Sequence, residues 1–231
     1  MDRNDALELV SKLVYQKIWE HGGCTKCYHW RPFDEIKENK QLKGKLSYQI
    51  IEEICSMKES EAEQVVRFRI NVAEKWRLCL DKRAELRDLV VKLWGGMKGK
   101  RIEKFDLSDF ETLRDNCSKP SMVSSISKLL AAIYPDKYFV FDSRISVFLN
   151  KLIDQHPEVD YEFVLPPGRS HYYIKYKSTR TPKKNKFEYQ DYCQIFYRVR
   201  DLIESNKSLL DLDLSGARIQ LLELCLYMQA H

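Results

Sequence analysis

Between Ser60 and Trp94 the chain meets neither proline nor glycine, while Val65, Phe68, Val72, Trp76 and Cys79, then Leu86, Val90 and Leu93, return at helical spacing. A strand cannot use this pattern, because its side chains alternate with a period of two. The run predicts either one long helix or two joined near Asp81, with its aromatic stripe facing a core. The same scarcity of breakers holds throughout, with 8 glycines and 7 prolines in 231 residues, so long helices are favoured over a many-turned sheet. The expected fold class is mainly α: a compact multi-helix bundle over residues 1–231, as one helical domain or two packed lobes, with a short β-hairpin near 161–177.

Further helices are expected at 5–20, where Leu7, Val10, Leu13, Val14 and Ile18 keep one face apolar until Gly22-Gly23, and at 107–117, capped by Ser108. Two more are expected at about 187–205 and 212–229. With 44% hydrophobic and 32% charged residues the balance is that of a globular chain. No apolar run reaches bilayer length and Met1–Asp5 lacks the layout of a secretory signal, so no membrane association is expected and the localisation expected is cytoplasmic, nucleoid-associated in a bacterium. Seven cysteines fit reduced thiols better than a disulfide framework. His21, Cys24, Cys27 and His29 contain a Cys-x2-Cys turn of zinc-knuckle type, but four ligands so close together leave little chain to wrap a tetrahedral site. Neither a metal nor another cofactor is expected. Gly95-Gly96-Met97-Lys98-Gly99-Lys100-Arg101 lacks both the glycine spacing and the Ser or Thr of a phosphate loop, which leaves it a helix stop.

Chemistry is best placed between residues 117 and 150. Val123, Ile126, Leu130 and Ile133 would face a core, and Ser124, Lys128, Ala131 and Ala132 fall on a second, low-profile face that permits close approach by another backbone or a ligand. Pro135 disfavours helix at Tyr134. After an apolar stretch, Asp142 takes the N-cap position of a helix over 143–154. The bland reading of the same residues is a capping aspartate and a solvated lysine.

The run from Ser127-Lys128 through Pro135-Asp136 to Asp142-Ser143-Arg144 resembles the catalytic segment of the helix-hairpin-helix DNA glycosylase superfamily, in particular a divergent 8-oxoguanine-glycosylase-like branch. The resemblance implies a glycosylase-like bundle in which Asp142 lies beside the sugar of a flipped-out nucleotide and assists cleavage of the N-glycosidic bond. It implies that Lys128 is the candidate nucleophile of a lyase, although it stands about one turn nearer the aspartate than the family's lysine. In the family's register that position is Ser124, as in monofunctional members. The stretch 116–122, which includes Lys119, carries no glycine where the family grips DNA with a glycine-rich hairpin, and the four-cysteine cluster of some members is absent. Arg144 would hold a phosphate.

The most polarised stretch follows. Between Glu162 and Glu188 no residue is acidic, while Arg169, Lys175, Lys177, Arg180, Lys183, Lys184 and Lys186 supply seven positive charges, more than the formal net charge of +5 of the whole chain. Tyr172, Tyr173 and Tyr176 interleave with them, so 166–186 reads as a basic aromatic loop that contacts DNA or RNA through phosphates and stacked bases. The alternation in 172–177 suggests a strand paired with 161–165 around Pro166-Pro167-Gly168. The function expected is a DNA glycosylase-like enzyme, with double-stranded DNA carrying an extruded base as partner. The alternatives are a catalytically inactive nucleic-acid-binding module on the same scaffold and, behind it, a metal-dependent nuclease built on Asp160, Glu162 and Lys175.

Overall fold

A computed structural model of the chain describes residues 1–20, 33–96, 115, 117, 119–168 and 171–205, apart from the side chains of Trp19 and Tyr172. The expected metal-free turn at 21–29, the basic turn 97–101, most of the 107–117 helix, Arg169 and the 212–229 helix lie outside those residues. The described elements are α1 (Arg3–Glu20), α2 (Phe33–Lys37), α3 (Leu46–Ser56), α4 (Glu61–Leu78), α5 (Arg83–Asp88), α6 (Pro120–Ile133), α7 (Ser143–Asp154), β1 (Tyr161–Phe163), α8 (His171–Thr179), β2 (Asn185–Phe187) and α9 (Tyr189–Ser205). The fold is mainly α, as its sparse breakers require.

Each long helix begins or ends where its residues dictate. Ser60 caps α4 through a reciprocal box with Glu63, whose backbone N–H it accepts while the Glu63 carboxylate takes the Ser60 N–H. The 60–94 run resolves into two helices joined near Asp81: α4 stops at Cys79, a short 3-10 turn spans Leu80–Lys82, and α5 runs on into a π-helical turn, Leu89–Trp94. The break is stabilised by Arg83, which donates Nε to the Trp76 carbonyl at 3.2 Å and lies 5.5 Å from the centre of its ring. Pro120 sits in the first turn of α6, where its missing N–H costs nothing.

One hydrophobic core reaches from Ala6 in α1 to Ile203 in α9 and takes in the expected residues of α4 and α6. Helix α1 packs along α9 and is tied to it by an Arg3–Asp191 ion pair of 2.6 Å. Helix α6 packs on α4 and on the π-helical turn, and it is buried on both faces. No helix among the described residues is long and apolar enough to cross a membrane.

The expected hairpin is replaced by a different arrangement. β1 pairs with β2, in parallel, with Tyr161 opposite Asn185 and Phe163 opposite Phe187, and the chain between them forms α8. Parallel neighbours need a long crossover, and 164–184 supplies it. The 172–177 alternation is overridden because Tyr173 and Tyr176, three residues apart, both bury against Val147 of α7 when the segment is helical. Gly168 allows that docking: a Cβ there would lie 2.7 Å from both Ser143 Oγ and Tyr173 Cγ.

Candidate functional site

The stretch Tyr138–Phe141 between α6 and α7 is neither helix nor strand and pairs with no strand among the described residues. Its polar backbone groups still need bonds once buried. Side chains supply them. Ser127 Oγ of α6 accepts the Phe141 N–H at 3.0 Å and donates to the Phe141 carbonyl at 3.1 Å. From α9, Tyr192 donates its hydroxyl to the Val140 carbonyl at 2.8 Å and Tyr189 donates to the Phe139 carbonyl at 2.7 Å. Complete burial pushes the Tyr189 phenol well above its ordinary pKa and keeps it a donor. The rings of Phe139 and Phe196 stack at 4.5 Å, and Phe141 packs 4.8 Å from Tyr192. Two helices therefore grip three consecutive residues and fix where the next one lies.

That next residue is Asp142. Its Oδ1 accepts the backbone N–H of Arg144 at 2.9 Å and of Ile145 at 3.2 Å, which caps α7 as the sequence predicts. Its Oδ2 accepts Nε and Nη2 of Arg144 at 3.2 and 3.0 Å. The carboxylate is buried with both oxygens occupied, so it does not open directly onto solvent. Lys128 lies within electrostatic reach. Its expected place on a low-profile surface is corrected, because the side chain is buried along Gly95 and donates Nζ to the Gly95 carbonyl at 3.2 Å. A Cβ on Gly95 would come within 3.0 Å of Lys128 Cδ, so the helix stop read there also makes room for this lysine. Burial holds the Lys128 ammonium below its ordinary pKa; Asp142 opposes that shift and Arg144 adds to it. Ser124, one turn earlier, is also buried, so a strand of nucleic acid does not reach it in this conformation, whereas Lys119 is exposed at the N-cap of α6.

The basic segment is held by acids that precede it. Glu162 of β1 is buried, pairs with both Arg180 and Lys186, and accepts the Lys183 N–H at 2.8 Å. Asp160 accepts the Lys184 N–H at 3.2 Å, and Tyr176 donates its hydroxyl to Asp154 at 2.7 Å. Arg180 lies 5.5 Å from the centre of the Tyr176 ring. Tyr173 and Tyr176 are thus core residues and present no rings for base stacking, and the guanidinium of Arg180 is spent on Glu162. Lys175, Lys177, Lys184 and Lys186 are exposed and Lys183 is half-buried. Glu162 is thus taken up by two cations and an N–H, while Asp160 is exposed; among the described residues no group of three or more His, Cys, Asp or Glu side chains could hold a metal ion.

The two regions adjoin. Gly168 lies on Ser143 beside the capped end of α7, Ser146 Oγ donates to the Val164 carbonyl at 2.5 Å, and Asn150 exchanges two hydrogen bonds with the backbone of Phe163. Helix α7 therefore carries Asp142 at its start and grips the basic unit along its length. Ser127, Asn150, Gly95 and Gly168 had no periodic signal of their own; only the glycines stood out, as breakers. Comparisons with protein-family models, with curated proteins and with solved structures gave no match.

Proposed function

We propose that the chain is a DNA glycosylase-like enzyme that cleaves the bond between a sugar and an extruded, modified or damaged base. The observation that carries this reading is the gathering of Asp142, Lys128 and Arg144 at the start of α7, with the carboxylate on a backbone that two helices hold fixed. As the bond breaks, the base leaves with the electron pair and C1′ becomes positive. An ionised Asp142 stabilises that charge and orients a water whose oxygen adds to C1′, while its proton passes to solvent. Lys128 is the alternative nucleophile, and burial favours the neutral amine such a role needs. Extruding a nucleotide costs a few kcal/mol, and contacts from Lys175, Lys177 and Lys184 to phosphates would offset it.

The test is incubation with duplex oligonucleotides carrying different modified bases, followed by detection of alkali-labile sites. Release of one base class that is lost in Asp142→Asn supports the reading; no release from any substrate overturns it. Borohydride trapping separates the chemistries, since a covalent adduct that disappears in Lys128→Met assigns the lyase route. A second reading, a nucleic-acid-binding module without catalysis, is favoured by the occupancy of both Asp142 oxygens. It predicts DNA affinity that Asp142→Asn leaves unchanged, with no base released.

A further inference from the structure

Building on the reading of Asp142 as the reacting carboxylate, we infer that Arg144 is a gate. It covers Asp142 Oδ2 in the free protein and gives it up to a backbone phosphate of the bound strand. The carboxylate would then react only when a polymer is in place.

The two oxygens have different duties. Oδ1 accepts two backbone N–H groups of the first turn of α7, and removing it from them would uncap the helix. Chemistry therefore falls to Oδ2, the oxygen that Arg144 covers through Nε and Nη2. The partners of this ion pair differ in exposure, with 26% of the Arg144 side chain accessible against 9% of the Asp142 side chain. An anion arriving from solvent meets the arginine side chain before the carboxylate. The fork that holds a carboxylate also fits a phosphate, so one anion can replace the other. Asp142 itself cannot follow Arg144 outward, because the preceding residues are pinned by Ser127, Tyr189 and Tyr192 and its own Oδ1 holds the cap. The exchange breaks the two side-chain contacts to Oδ2 through a rotamer change of one long side chain. Lys128 stays behind, buried on the Gly95 carbonyl and within electrostatic reach of Asp142. Arg144 is a positioning residue in this scheme.

The scheme is tested by carbodiimide labelling of the full chain with glycine ethyl ester, with modification at Asp142 read by mass spectrometry. Sulfate serves as the phosphate mimic because it does not consume carbodiimide, and chloride at equal ionic strength is the control. Slow labelling in chloride that rises several-fold in sulfate is the expected result. In Arg144→Gln the labelling should be fast and indifferent to sulfate, and Arg144→Lys should fall between. Labelling of the unaltered chain that responds equally to sulfate and chloride overturns the gate, as does an Arg144→Gln variant that is folded by circular dichroism yet labels slowly. Should that variant not fold, the sulfate response of the unaltered chain decides. Base release measured in parallel separates the two proposals: a sulfate response without base release sinks the glycosylase reading alone, and base release without a sulfate response sinks the gate alone.

Discussion

The link that carries Asp142 and the basic unit β1–α8–β2 face the same difficulty, a stretch of chain that cannot satisfy its own polar groups, and they meet it with different chemistry. The link is held by neutral hydroxyls from Ser127, Tyr189 and Tyr192. The basic unit is held by carboxylates: buried Glu162 faces two cations and a backbone N–H, and exposed Asp160 takes another N–H. Hydroxyl bonds to a carbonyl change little with pH or salt. A buried charge cluster is stable only while every member remains. The contrast teaches that the segment richest in positive charge spends part of it internally and that, among the described residues, its exposed lysines are what it offers a partner.

The largest effect should come from removing Glu162. Glu162→Ala leaves the buried Arg180 guanidinium without its carboxylate, and breaking a buried pair from one side costs about 3–5 kcal/mol. Urea denaturation should show that loss; a cost below about 1 kcal/mol would mean that the charges are not what holds the basic unit. Ser127→Ala is of comparable size, since it removes the hydroxyl that serves both the N–H and the carbonyl of Phe141 in a buried setting, at about 1–3 kcal/mol for each such group. Tyr192→Phe, which removes one hydroxyl bond to the Val140 carbonyl, should cost less than Ser127→Ala. The opposite order would locate the grip on α9 rather than α6.

The smallest effect, and the most diagnostic, is the pH dependence of Lys128→Met. Lys128 has a folded pKa below its ordinary value of 10.5, so the unfolded chain binds more protons between the two values and stability from this residue rises with pH across that window. It is complete above 10.5 and lost as pH falls through the folded value. The stability of the unaltered chain relative to Lys128→Met should therefore improve as pH is raised towards 10.5. A difference that is flat with pH would show that Lys128 keeps an ordinary proton affinity and lies in contact with water.

The sequence by itself placed α1, α4, α5, α6 and α9, because an apolar stripe at helical spacing has one low-energy answer wherever a core exists; it did not single out α2 or α3, nor the burial of the second face of α6. It placed the N-cap at Asp142 and the helix over 143–154, since a short acceptor followed by an amphipathic run is a local signal. It could not place α8: alternation in 172–177 suggested a strand, and only the proximity of Val147 made two tyrosines three residues apart worth burying on one side. Nor could it show that Lys128 is turned inward onto Gly95, that Glu162 neutralises two cations twenty or so residues later, or that Arg144 covers the carboxylate at its own helix start. Periodicity is written along the chain and survives without a partner. Who satisfies a buried charge or an orphan carbonyl depends on which distant residue arrives within 3 Å or so, and only the folded chain decides that.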